Sequence, residues 1–251
     1  MSNALYFGEP AAVAAAYPGS QFVLTGAEAR HAATVKRVAA GETIDVADGR
    51  GRRISGVVAS STAQEVTLEV SSVNEDPLPA SRLVLVQALA KGDRDELAVE
   101  AATELGVDAV IPWQADRSIV RWRAEKALKG QRKWESTVFG AAKQSRRARL
   151  PEVLPLHDSG SLAHWLAGVD LALVLHEDAV DSLGLILAGC AGDTPATVAV
   201  VVGPEGGISG QELDLFRSKG AQAARLGGHV LRSSTAGPAA LSVLNQLLGR
   251  W

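Results

Sequence analysis

Hydrophobic and polar positions change rhythm once along this chain. Up to residue 73 they alternate in short runs, the period-two pattern of half-buried strands. SQFVLTG (20–26) and AQEVTLEVSSV (63–73) read as single strands. ETIDVADGRGRRISGVVAS (42–60) reads as a hairpin turning at DGRG. Residues 27–39 have helical spacing. Short strands and turns around one helix predict a small β-barrel over 1–73. NEDPLPAS (74–81) combines acids with two prolines and interrupts every pattern, which predicts a linker.

From residue 82 the strands become continuously apolar. RLVLVQAL (82–89) has the character of a strand buried on both faces of a parallel sheet. RDELAVEAATELGV (94–107) follows with helical spacing through Leu97, Ala101 and Leu105, and DAVIPW (108–113) is a second strand. DLALVLHE (170–177), TVAVVVGPE (197–205) and AARLGG (223–228) continue the alternation. GPAALSVLNQLLGRW (237–251) closes it as an amphipathic helix, with Leu241, Leu244, Leu247 and Leu248 on one side as a dimer surface or, alternatively, a face packed on the sheet. The pattern predicts an α/β domain with a mainly parallel sheet over 82–251.

Composition narrows the class. With 47% apolar and 21% charged residues the chain is of the soluble globular kind. No apolar run reaches the length of a membrane span, and MSNALYFGEP lacks the basic flank and apolar core of a secretory signal. A cytoplasmic protein with no membrane partner is expected. Cys190 is the only cysteine, so an intramolecular disulfide and a cysteine-rich zinc site are excluded. It is expected as a small buried hydrophobe. No pair of histidines has metal-ligand spacing, so no metal is expected.

The net charge of −3 names no partner, but its distribution does. Residues 117–149 hold eleven basic side chains against two acidic ones, Glu125 and Glu135. Trp113, Trp122 and Trp134 are interleaved with Arg117, Arg121, Arg123, Lys143, Arg146, Arg147 and Arg149. Cations beside aromatics suit phosphate contact and base stacking. A solvated charged face over core tryptophans is the alternative. Arg37, Arg50, Arg52 and Arg53 extend the candidate footprint.

VVGPEGGISGQELDLF (201–216) reads as strand, glycine turn and helix, an arrangement often used to hold phosphate. Here it carries Glu205 where a phosphate loop has lysine, and neither a Gly-Lys-Ser/Thr nor a G-x-G-x-x-G spacing is present. A carboxylate in the turn disfavours a polyphosphate and accepts a cationic or uncharged ligand. Two further stretches, LHE (175–177) and LGGHVLRSSTAGPAA (226–240), also follow strands. Ligands of open α/β sheets sit beyond the carboxyl ends of strands. The three loops are therefore expected to enclose a nucleotide-sized molecule against bare glycine backbone.

VVGPEGGISGQEL followed by LGGHVLRSSTAGPAAL resembles the C-terminal signature of the RsmE-type 16S rRNA uridine-N3 methyltransferases of the SPOUT superfamily. KGDRDELAVEAATELGV (91–107), RSIVRW (117–122), AAKQSRRARLPEV (141–153) and HAATVKRVAAGE (31–42) are similar to that family in the same order. The resemblance implies a PUA-like barrel before a SPOUT domain with a deep trefoil knot that binds S-adenosylmethionine. It implies cofactor contacts from Leu175, His176, Glu177, Gly203, Pro204, Glu205, Gly206 and Gly207. It implies further contacts from Leu226, Gly227, Leu231, Ser233, Ser234, Thr235 and Ala236. Arg232 is the expected cation for charge on the uracil oxygens, with a salt bridge holding its loop as the alternative, and Glu205 is either the base or an N-cap or orienting group for the helix that follows. His229 is an alternative proton acceptor or a plain loop histidine. Ser234 stands where many members of the family carry an acid. RNA contacts are expected from Arg37, Arg50, Arg117, Arg121, Lys143, Gln144, Arg146 and Arg147, in a homodimer acting on the small ribosomal subunit at the uridine usually numbered 1498. A SPOUT methyltransferase of tRNA, or a non-catalytic RNA-binding assembly protein, remains the alternative.

Overall fold

A computed structural model describes residues 3–190 and 194–251. The chain divides into two compact units. One takes it up to Leu78 and returns for Ala142–Leu150; the other comprises Pro79–Ala141 and Pro151–Trp251.

The first unit contains β1 (Ala4–Phe7), α1 (Pro10–Ala15), β2 (Gln21–Thr25), α2 (Gly26–Arg30), β3 (Thr43–Ala47), β4 (Arg52–Ser61) and β5 (Glu65–Glu75). Its sheet runs β1-β3-β4-β5-β2, antiparallel except for the β1–β3 pair. Alternation in the sequence becomes alternation in burial: in β2 only Phe22 and Leu24 face inward, joining Tyr6, Val13, Ile44, Val46, Ile54 and Leu68. The helix expected over 27–39 ends early. After α2 it widens into a π-turn at His31–Val35, and Arg37 then takes a left-handed φ of 55°. β5 runs on to Glu75, two residues into the stretch read as a linker.

Residues 142–150 belong to this first unit although they lie far along the chain. Leu150 N–H donates to Gly49 O and Arg149 donates to Asp76 O. Lys143 Nζ pairs with Glu28 at 2.8 Å. Gly51, at φ 119°, leaves room for the Arg149 guanidinium that any Cβ would strike.

The second unit contains β6 (Arg82–Ala88), α3 (Arg94–Glu104), β7 (Ala109–Gln114), α4 (Glu125–Gln144, whose last turn passes into the first unit), β8 (Glu152–Val153) and β9 (His157–Asp158). It continues with α5 (Ser159–Leu166), β10 (Leu171–Leu175), α6 (Leu183–Gly189), β11 (Thr197–Val202), α7 (Gly210–Arg217), β12 (Gln222–Ala224) and α8 (Ser233–Leu247). The sheet order is β12-β10-β11-β6-β7-β8, with β9 also on β7, and the ladders of the described residues are parallel.

The unbroken apolar runs are explained by layers on both faces. Leu83 and Leu85 of β6 pack with Val99 of α3, Trp134 of α4, Ile186 of α6 and Leu241 and Leu244 of α8. The alternate residues Val84 and Val86 pack with Leu162 of α5 and Phe216 of α7. Arg250 ties the end of the chain back to Asp108, at 2.6 and 3.3 Å, and to the Ser81 and Gly106 carbonyls.

Three expectations are corrected here. The buried face of α3 is Ala98, Val99, Ala102 and Thr103, while Leu97 is 54% exposed. The helix is alanine-rich, so its few large residues do not mark its inner face. Trp113 and Trp134 are completely buried and Trp122 packs edge-on against Trp134 at 5.7 Å, so these rings are core and not stacking platforms. Leu241 and Leu244 are buried against the sheet, leaving Val243 and Leu247 as the exposed apolar residues of α8. Cys190 is half-buried at the end of α6, packed on the core. No helix among the described residues is long and apolar enough to cross a membrane.

Candidate functional site

Parallel pairing places the carboxyl ends of β10, β11 and β12 on one side of the sheet, so the loops after them open together. Two of these loops are joined directly. Arg225 N–H donates to Asp181 O, Leu183 N–H donates to Arg225 O, and His176 N–H donates to Ala224 O. Together the three loops surround a cavity of about 760 Å³, within the size range of small-molecule sites.

The GPEGG turn, which follows β11, lines the cavity beside the loop after β10. Gly207 N–H donates to Pro204 O at 2.9 Å, and Gly207 has φ 73°, a conformation that admits glycine readily. A Cβ on Gly203 would lie 2.7 Å from Ile208 Cγ1, and one on Gly206 would lie 3.1 Å from Arg117 Cβ. The turn is thus packed closely from behind and leaves bare backbone toward the cavity.

A buried carboxylate fixes this turn from below. Ser209 and Glu212 form a capping box at the start of α7. Glu212 is 2% exposed and accepts four hydrogen bonds: from Asp116 N–H, Ser159 Oγ, Ser209 N–H and Ser209 Oγ. Trp113 Nε1–H donates in turn to Ser159 Oγ. One side chain therefore joins the ends of β7, α5 and α7 directly beneath the glycine turn. Its signal was present in the sequence as Ser-x-x-Glu following the glycines.

Most residues expected to contact a cofactor line the cavity: Leu175, His176, Glu177, Gly203, Pro204, Glu205, Gly206, Gly207, Leu226, Gly227, Leu231, Ser233 and Ala236. Ser234 and Thr235 are not among the lining residues. His176 Nδ1 accepts from Asp178 N–H, so this ring shapes its own loop. His229 is an exposed lining residue. Arg232 is exposed on the cavity wall at the N-cap of α8 and makes no side-chain capping bond. Ser233, the next residue, has a buried hydroxyl with no hydrogen-bond partner among the described residues.

Two cations of the site were not expected in these roles. Arg94, at the start of α3, lines the cavity and pairs with Glu205, Nη1 to Oε1 at 3.1 Å. It arrives there because β6 lies beside β11 in the sheet, a neighbour relation invisible in the linear chain. Arg117, read as an RNA contact, donates to the Gly206 carbonyl at 3.0 Å and backs the glycine turn. Arg121 similarly donates to the Asp116 carbonyl.

Asp95, next to Arg94, is buried, and desolvation pushes its carboxyl up to about 6 despite backbone hydrogen bonds from Glu96 and Ala90. In the first unit, Arg37, Arg50, Gln144 and Arg146 are exposed, while Lys143 is committed to Glu28 and also lies 5.3 Å from the Tyr6 ring centre. Arg52 donates to the Val13 and Ala16 carbonyls and Arg53 pairs with Asp76, so these two serve the fold of the unit.

A family model described as an RNA methyltransferase domain matches residues 76–245, and one described as an RNA methyltransferase PUA domain matches residues 24–71. The chain is 40% identical over 237 residues to the ribosomal RNA small subunit methyltransferase E of Mycobacterium tuberculosis, covering 93% of this chain and 89% of that protein. The protein of the same name from Bacillus subtilis is 28% identical, covering 89% of each. Among solved structures, the ribosomal RNA small subunit methyltransferase E from Neisseria gonorrhoeae bound to S-adenosyl methionine superposes with a TM-score of 0.83, at 26% identity and 98% coverage of both chains.

Proposed function

The chain belongs to the RNA methyltransferase family of ribosomal RNA small subunit methyltransferases E, and from that premise we propose that it methylates N3 of a uridine in 16S rRNA. The nucleotide is the one usually numbered 1498, and the acceptor is the small ribosomal subunit. The methyl donor is S-adenosylmethionine, as in the gonococcal relative.

The cavity fits this donor in size and in chemistry. Its glycine turn offers backbone groups at close range to an adenine, and its orphaned Ser233 hydroxyl awaits a polar ligand atom. Glu177, Asp178 and Glu205 line it with acidic groups that favour a cation over a phosphate. When bound, the donor supplies an electrophilic methyl group on a cationic sulfur. Deep-knot threading of the three loops, as the family resemblance implies, belongs to the same proposal.

The residues of the chain prepare the acceptor. N3 of uracil carries a proton that must leave before the nitrogen can receive a methyl group. Glu205 accepts that proton, and Arg232 faces the negative charge that spreads onto the uracil oxygens. An arginine is suited to this because it stays charged and presents several donors in a plane. The observation that carries the reading is the convergence of Arg232 and Glu205 on one glycine-lined cavity.

Exposed cations of the first unit, Arg37, Arg50 and Arg146, contact rRNA phosphates, with Arg147 and Gln144 beside them in the chain. Lys143, Arg117 and Arg121 contribute through the geometry they hold. The protein works in the cytoplasm as a homodimer whose interface uses the exposed apolar residues of two packed helices, Leu185 of α6 and Val243 and Leu247 of α8.

Methyl transfer from labelled S-adenosylmethionine to small subunits lacking the modification, followed by mass mapping, tests the proposal. N3-methyluridine at the stated nucleotide, lost in Arg232→Ala, is the expected result. Transfer to a different nucleotide, or to tRNA alone, would overturn the substrate assignment.

A further inference from the structure

We infer that Arg94 and Glu205 act as one base-reading pair that selects uracil over cytosine. The inference rests on the proposed uridine methylation and adds to it a residue with no role so far. Arg94 Nη1 and Glu205 Oε1 are 3.1 Å apart, and both side chains line the cavity. The pair is partly screened from solvent, with side-chain exposures of 35% and 22%. Neither partner is saturated by the other. A guanidinium has five N–H donors and a carboxylate about four acceptor positions, so each keeps hydrogen-bonding capacity beyond this contact.

The pair therefore presents donor and acceptor side by side. Uracil presents the complementary order along its Watson–Crick edge, with the O4 acceptor beside the N3–H donor. Arg94 donates to O4 while Glu205 accepts from N3–H, the edge-reading expected of an enzyme that takes a base out of its stack. Cytosine reverses both positions. Its N4 amine would point donors at the guanidinium, and its unprotonated N3 would point a lone pair at the carboxylate. Two mismatches with charged groups are a repulsive selection against the wrong base, as well as an attractive one for the right base.

The same contacts serve the chemistry. The N3–H proton passes to the Glu205 carboxylate, the N–H bonding electrons stay on N3, and the resulting charge spreads to O4, where the Arg94 guanidinium meets it. The electron pair on N3 forms the new N3–C bond as the methyl's bond to the sulfonium sulfur breaks, the S–C electrons staying on sulfur in the departing S-adenosylhomocysteine, and the Glu205 proton then leaves to water. Arg232, another residue lining the cavity after β12, supplies a second cation to the same anion.

The test uses small subunits reconstituted with 16S rRNA carrying either uridine or cytidine at the mapped position. Binding is measured with the full-length protein loaded with S-adenosylhomocysteine. Wild type is expected to bind the uridine form about tenfold or more tighter, the scale of one lost charge-assisted hydrogen bond. In Arg94→Gln the ratio falls to within about twofold. Arg94→Lys, which keeps a charged donor, retains part of the preference. A purely structural role for Arg94 would weaken both forms equally, so an unchanged ratio in Arg94→Gln overturns the inference. Wild-type protein that methylates no uridine in these subunits overturns the underlying function instead, and the base-reading role with it.

Discussion

The Ser233 hydroxyl is buried in the cavity wall without a partner among the described residues, an arrangement that costs the free protein about 1–3 kcal/mol. A ligand atom that hydrogen-bonds to it recovers that energy. Ser233→Ala is therefore expected to leave the ligand-free protein as stable as wild type or slightly more so, and to weaken S-adenosylmethionine binding by about tenfold. Thermal melts with and without the cofactor check both halves. Asp95 gives a second prediction at this scale. Its folded carboxyl lies near 6 against an ordinary 3.8, so between these values the native state holds the proton more tightly than the unfolded state. Stability contributed at low pH is therefore lost as pH rises from about 4 to about 6, by up to roughly 3 kcal/mol. Urea midpoints at pH 4.5 and 7.5 should fall less in Asp95→Asn than in wild type. The neighbouring Arg94 shows what residue-level reading missed: its type and place in the chain were visible, but its partner lies 111 positions away.

At the scale of elements, the site depends on α7 being started at the right place. Ser209 caps it and Glu212 both completes the capping box and accepts from the turn after β7 and from Ser159 of α5. Glu212→Ala leaves those buried donors unmet, and the expected loss is about 2–4 kcal/mol from unsatisfied groups and the broken cap. For a chain of this size that corresponds to a melting temperature lower by roughly 5–15 °C. Cofactor affinity should fall as well, because the glycine turn rests on this network. Wild-type melting and binding in Glu212→Ala would show that the turn holds itself. The capping box was legible as Ser-Gly-Gln-Glu at 209–212, whereas the donors from Asp116 and Ser159 were not, since they come from other elements. Helix α4 is the opposite case. Trp134, Val138, Ala141 and Ala142 repeat at helical spacing and are buried, an apolar stripe masked in the sequence by the cations that flank it.

At the scale of the whole molecule, the basic segment 117–149 divides its work. Arg117 and Arg121 hold backbone carbonyls in the second unit, while Arg146, like Arg50 from outside the segment, lies exposed in the first unit. The exposed ones should behave as phosphate contacts. Arg50→Ala and Arg146→Ala are each expected to weaken rRNA binding irrespective of sequence and to reduce the salt slope of log K by about 1. Arg52→Ala and Arg53→Ala should instead act through stability of the first unit, because their guanidiniums are engaged within it. Filter binding across a salt series, paired with urea denaturation, separates the two classes.

The sequence by itself determined the two kinds of architecture, because periods of two and of 3.6 report which side chains must leave water, and continuous apolar strands require cover on both faces. It also determined that a glycine turn with a carboxylate would lie at a strand end, since Gly203-Pro204-Glu205-Gly206-Gly207 directly follows a β-branched run. Only tertiary structure decided the order of strands, and with it which loops share a cavity. Pairing β11 with β6 brings Arg94 to Glu205, and pairing β10 with both β11 and β12 brings the three loops to one side. Tertiary structure likewise decided that Trp113 and Trp134 fill the core and that residues 142–150 return to the first unit. Hydrophobic periodicity is local, set by each residue and its near neighbours. Strand order and the partners of buried charges depend on contacts between segments far apart in the chain, which no local pattern encodes.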